Sequence, residues 1–221
     1  GALHRHRHLR RLRRLTFTSV ALPFTEQTSL GAYLKRWNVR VAANDPLRSA
    51  STRSLAYIAN SGESLSAADV ETVLEDAYVP GYRLNNHALT NWFSETDAWW
   101  FDNVRKNIDK LQTPMSRAIA SSVALATGDY ALSFNSETRE LRQPLSNVFR
   151  RLLSIQPVPF NNGQNNTSDN KIADDFIAET PSDLMFLRLP QAHAQAERTH
   201  LGRAAWREEW LRGGSDFWAD L

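Results

Sequence analysis

Side chains able to do chemistry are unevenly spread along this sequence. Residues 1–14, GALHRHRHLRRLRR, hold six arginines (Arg5, Arg7, Arg10, Arg11, Arg13 and Arg14) and three histidines, with no acid among them. Guanidinium groups at that density suit phosphate and give affinity for a polyanion without sequence selectivity. The competing reading is a solvated arm. His4, His6 and His8 alternate with arginines that repel a cation, and no carboxylate assists them, so no metal site is expected there. His193 and His200 stand seven apart, on one helical face, where capping or surface roles fit better than ligation. The chain has no Cys, which excludes thiolate chemistry and disulfides. Trp92, Trp99 and Trp100 offer ring faces for stacking, although tryptophans at helical spacing belong more often to a core. Asp45, in Asn44-Asp45-Pro46, ends an apolar run, where an acid ordinarily caps a turn.

Composition bounds what these groups can be attached to. With 42% hydrophobic residues and 7 Trp in 221 positions, the chain carries enough apolar surface for one large domain or a core domain with an insertion. The arm takes six of the 26 basic residues, leaving 20 against 24 acidic ones, so residues 15–221 are net −4. The high isoelectric point therefore belongs to the arm alone, and the arm is the part suited to a polyanion. The basic start followed by LTFTSVALPF imitates a secretory signal, but Thr and Ser interrupt its apolar stretch and no small-residue cleavage site follows. An Arg-rich, acid-free arm also resembles an organelle presequence, except that residues 1–14 contain no Ser. No run approaches ~20 apolar residues, so no membrane span is expected. A cytoplasmic setting is the expectation.

The elements follow from period and punctuation. Leu9, Leu12 and Leu15 predict a short basic helix; Thr16–Phe24 reads as a buried strand ended by Pro23. Ser29–Trp37 predicts a helix, and Val39–Ala43 a second strand stopped by Asn44, Asp45 and Pro46. Strand, helix and strand at this spacing open a parallel α/β sheet. Helices are predicted over Ser66–Asp76, Ser94–Leu111 and Ser116–Ala126, so residues 61–149 read as an all-helical insertion. Asn161–Asn170, NNGQNNTSDN, reads as a loop, with glycosylation sequons at Asn165 and Asn166. Lys171–Ala178 reads as a helix and Asp183–Leu189 as a buried strand. Ala194–Leu221 reads as an amphipathic helix broken at Gly213 and Gly214.

Taken in order, several stretches resemble the Dam-like adenine-specific DNA methyltransferases. They are LPFTEQTSLGAYLKRWNVRVAANDPLRSA (Leu22–Ala50), NWFSETDAWWFDNVRKNID (Asn91–Asp109), RQPLSNVFRRLL (Arg142–Leu153), FNNGQNN (Phe160–Asn166) and SDLMFLRLP (Ser182–Pro190). The resemblance runs from about Val20 to Leu221. It implies a Rossmann-like sheet that binds S-adenosylmethionine, with a helical insertion that reads DNA. The expected architecture is thus a basic arm over 1–14, a discontinuous methyltransferase-type domain over 15–60 and 150–221, and the helical insertion over 61–149.

The departures from that family govern the expected function. Where the family has Phe-x-Gly-x-Gly, this chain reads Phe24-Thr25-Glu26-Gln27-Thr28, without the glycines that let backbone approach the cofactor. Asp45 stands where the family holds the ribose hydroxyls. The resemblance therefore leaves Phe24, Thr25, Glu26 and Asp45 as a vestigial cofactor site. Where the family has Asp-Pro-Pro-Tyr, the residues are Arg188, Leu189, Pro190 and Gln191. A guanidinium cannot accept a hydrogen bond from an adenine amino group, and Gln191 offers no ring to stack on the flipped base. Arg139, Arg142, Arg150 and Arg151 lie where the family's DNA-facing helices end.

The expectation is a catalytically silent methyltransferase-like protein with no cofactor, binding DNA through the arm and the insertion. One alternative is an active S-adenosylmethionine-dependent adenine methyltransferase with a divergent site. Another is an assembly module for a protein partner or homodimer, with Trp206 and Trp210, four apart in HLGRAAWREEWLRGG, as the contact face; core packing explains that pair equally well.

Overall fold

Two apolar runs form the centre of a parallel sheet because both of their faces can be buried. β1 (Ser19–Leu22) and β2 (Arg40–Asn44) pair in parallel from Ser19 opposite Arg40 to Leu22 opposite Ala43. In this computed structural model, which describes residues 14–26, 28–79, 83–135, 137–188 and 198–220, β3 (Thr167–Asp169) adds beside β2 and β4 (Leu184–Met185) beside β1. The result is a four-stranded, all-parallel sheet in the order β3-β2-β1-β4, compatible with a Rossmann-like fold.

Alternation along the strands sorts side chains to two faces. Val20, Leu22, Val41 and Ala43 pack with Leu34 and Ile58, from α1 (Ser29–Lys35) and from the π turn Leu55–Ala59 that extends α2 (Arg48–Ser54). Ala21 and Ala42 face the other way onto Phe176 of α7 (Ala173–Glu179). Lys35 is buried at the end of α1. Its Nζ donates to the Asn60 carbonyl, and burial lowers its basicity.

Between β2 and β3 the chain is helical. α3 (Ala67–Leu74) starts in a capping box of Ser66 and Asp69. α4 (Glu95–Ile108) starts at Ser94, whose hydroxyl accepts from Asp97 N–H. α5 (Pro114–Leu132) is capped by Thr113, with Pro114 in its first turn. With α6 (Leu145–Ser154), these helices enclose a second core holding Trp100, Phe101, Val123 and Phe149. The chain closes with α8 (Arg198–Leu201) and α9 (Ala205–Arg212), and α9 ends at Gly213 in the left-handed conformation.

Three expectations change. The Asn-rich segment, read as a loop, contains β3: backbone bonds to β2 hold an edge strand without apolar side chains, and Asn166 helps by accepting the Val41 N–H. A second helix before residue 60, α2, follows directly beyond the β2 turn, where sequence reading placed none. Trp206 and Trp210, placed by sequence with the sheet segment, are fully buried in the helical core against Phe101. Among the described residues no helix is long and apolar enough to cross a membrane.

Candidate functional site

Ligands of open parallel sheets sit outside the carboxyl ends of the strands, where strand order reverses, which here is the end of β1 between β2 and β4. That edge is stitched together by its own polar groups. The Thr25 N–H donates to Asp45 Oδ2 at 2.9 Å, and the Leu47 N–H donates to Oδ1 at 2.9 Å. The Thr25 hydroxyl donates to the Asn44 carbonyl at 2.9 Å and accepts from Ser54 Oγ at 2.8 Å. Asn44 Nδ2 donates to the carbonyls of Pro23 and Lys171, and Asn44 Oδ1 accepts the Lys171 N–H. Asn170 Nδ2 reaches the Asp45 carbonyl. Thr25 and Asp45 are 3% and 4% exposed, so the bond between them is buried.

The charge state of Asp45 reflects this packing. Burial pushes its carboxyl up to about 7; the N–H groups of Leu47 and Thr25 oppose the shift, while Glu208 and Glu26 reinforce it by repulsion. Glu208 is buried in α9, and its two oxygens accept the N–H groups of Arg48 (3.0 Å) and Ser49 (2.7 Å). A side chain 160 positions away thus caps α2, supplying the negative charge that a helix start favours. Glu209 next to it is fully buried and accepts from Trp92 Nε1, Arg198 Nε and Trp218 Nε1. Sequence reading missed both acids. Their only signal was two adjacent carboxylates inside a tryptophan-bearing amphipathic helix.

At the β4 side, Asp183 ties the start of that strand to β1, accepting from the N–H and hydroxyl of Thr18 and from the Ser19 N–H. Those bonds pull its carboxyl down to about 2, the Thr18 hydroxyl contributing most. Arg188, beyond the strand, is exposed. Leu189, Pro190, Gln191 and His193 lie outside the described residues, as does the side chain of His200. Phe24 is half-buried and Glu26 exposed beside Thr25. The structure therefore brings Thr25, Glu26 and Asp45 together.

The expected nucleic-acid contacts divide differently. Arg5, Arg7, Arg10, Arg11 and Arg13 lie outside the described residues with His4, His6 and His8, while Arg14 is exposed. Arg142 grips Asp97 with two bonds, at 2.8 and 2.7 Å, and the hydrogen bond to Asp97 raises its basicity. Arg139 sits 3.6 Å from the same carboxylate. Arg150 pairs with Glu71 at 3.0 Å, an exposed pair that solvent weakens. Arg151 is exposed. Trp100 is core, with Nε1 on Ser146 Oγ, Trp99 is half-buried, and the Trp92 ring lies under Arg198 with its Nε1 on Glu209.

Among the described residues no cluster of three or more His, Asp or Glu could hold a metal ion. Two shallow clefts lie away from the strand-end edge. One is at the amino ends of the strands, between Leu15, Phe17, Trp37 and Val39; the other runs between α3 and α6 along Val70, Arg150 and Leu153. No family model, curated protein or solved structure matches the chain.

Proposed function

We propose that this chain is a methyltransferase-like protein without methyl-transfer activity that works by binding DNA. The observation that carries the first half is the double engagement of the Asp45 carboxylate by Thr25 and Leu47. Each oxygen of the Asp45 carboxylate already accepts an N–H of its own chain, and at 4% exposure its remaining lone pairs are closed to the two hydroxyls of a ribose. Thr25, between Phe24 and the first of the two positions where the resemblance calls for glycine, is tied to Asp45, Asn44 and Ser54. At the other half of the expected site, Arg188 supplies a donor where an acceptor is needed.

DNA binding rests on charge. Residues 1–14 carry six arginines and no acid while residues 15–221 are net acidic, so affinity for a phosphate backbone concentrates in one segment. Mixing the purified chain with duplex DNA and S-adenosylmethionine labelled in its methyl group tests the first half, and no label on adenine is expected. Calorimetric titration with S-adenosylmethionine is expected to give no saturable heat. Methyl incorporation, or tight cofactor binding, overturns the silent reading. A gel shift that weakens steeply between low and moderate salt tests the second half, and its absence removes DNA as the partner.

A further inference from the structure

We infer that the junction of α2, α5 and α9 is a phosphate-binding site, with an oxyanion held between the guanidinium groups of Arg53 and Arg207. These two side chains converge on one carboxylate. Arg53 Nη2 lies 3.1 Å from Asp129 Oδ2, and Arg207 reaches the same residue through Nε at 3.0 Å and Nη2 at 2.9 Å. Asp129 neutralises one cation, which leaves a surplus positive charge. The side chains of Arg53 and Arg207 are only 22% and 27% exposed, so water screens that surplus poorly, whereas Asp129, at 36%, marks the side that opens to solvent.

The bonding inventory is also incomplete. Asp129 takes one nitrogen of Arg53 and two of Arg207, and among the described residues the other N–H donors of the two guanidiniums meet no protein acceptor. Burial, then repulsion from Arg207, holds Arg53 below its ordinary basicity against the pull of Asp129. A second oxyanion bridging both forks relieves that repulsion and fills the remaining donors. Planar guanidinium forks match the oxygens of phosphate, whose tetrahedral arrangement can accept from two forks at once. The site is distinct from the strand-end edge, where the groups flanking Asp45 are acidic.

Two sources carry this chemistry: the backbone of duplex DNA, which rests on the function proposed above, and a free phosphate ester. Inorganic phosphate is the probe for the site itself, titrated into the full chain at constant ionic strength against chloride, with melting temperature and phosphorus NMR linewidth as readouts. Saturable binding is expected in the parent, about tenfold weaker in Arg207→Gln and in Arg53→Gln. Asp129→Asn removes the internal competitor and is expected to tighten phosphate binding about threefold or more. A purely structural tie predicts the reverse pattern: all three variants lower the baseline melting temperature and none changes the response to phosphate. No response in the parent, or an equal response in parent and arginine variants, overturns the site. Should the arginine variants not fold, an Asp129→Asn affinity no higher than the parent's overturns it alone.

Duplex DNA then separates the sources. If the backbone supplies the phosphate, Arg207→Gln lowers the slope of log affinity against log salt by about one. An unchanged slope with phosphate binding lost assigns the site to a free ester. Phosphate binding without any DNA binding removes the function proposed above and leaves this site standing.

Discussion

Asp45 is held in the fold with a carboxyl that titrates near 7, against an ordinary value of 3.8. Between those values the folded chain keeps a proton that the unfolded chain releases, so folding stability falls as pH rises from about 4 to about 7 and is flat beyond. At about 1.4 kcal/mol per pKa unit, the effect is on the order of 4 kcal/mol at most. Urea midpoints measured across that range are expected to decline in the parent and to lose this component in Asp45→Asn, which cannot ionise. A variant with the parent's slope sinks the assignment. Gly128 gives a second residue-scale test. In the interior of α5 a Gly→Ala change ordinarily gains about 1 kcal/mol. Here a Cβ would collide with Cη2 and Cζ2 of the Trp206 ring, which is fixed against Phe93 and Phe101. Gly128→Ala is therefore expected to cost about 1–3 kcal/mol by chemical denaturation, the sign reversed by overpacking.

At the scale of elements, Glu208 makes α2 depend on α9. Replacing its carboxylate with an amide leaves one of the Arg48 and Ser49 N–H groups without an acceptor and frees the Arg212 guanidinium that leans on it. Glu208→Gln is expected to lower stability by about 1–2 kcal/mol at neutral pH. Because Glu208 also repels Asp45, the same variant should narrow the pH range over which stability declines, which a loss of packing alone does not do. This pairing also marks the limit of what the sequence made legible. β1 and β2 were readable as apolar runs ended by turn residues, α3 and α4 from Ser66 with Asp69 and from Ser94, and α5 only in its middle, Ser116–Ala126, although it runs from Pro114 to Leu132. Those signals are local. β3 was hidden because an edge strand held by backbone bonds needs no apolar pattern, and Thr167-Ser168-Asp169 has none. The partners of Asp45, Glu208, Glu209 and Arg142 lie up to 160 positions apart and have no periodic signature. Thr25 and Asp45 were singled out by likeness to a cofactor site, but no local rule says that they bond to each other.

Across the whole molecule, opposite charges are segregated by sequence position. The chain is formally +2, yet residues 15–221 are net −4, so deletion of residues 1–14 reverses the sign of the protein. Long-range attraction to a polyanion depends on that sign, and short-range affinity depends on the number of phosphates neutralised. Six arginines set an upper limit of about six released counterions from the arm, corresponding to a log-log salt slope near −5 on duplex DNA. Arg142 and Arg150, committed to Asp97 and Glu71, add less than their number suggests. The expected result is that deletion of residues 1–14 leaves the melting temperature within a few degrees of the parent, since both cores are built from residues beyond the arm, while duplex affinity at moderate salt falls by at least about a hundredfold. Adding Arg207→Gln to the deletion separates arm from body: a remaining salt slope near one that this substitution abolishes places the residual contact at the α2, α5 and α9 junction. If the deleted chain binds duplex as tightly as the parent, the acidic body carries the affinity and the division of charge along the chain has no part in it.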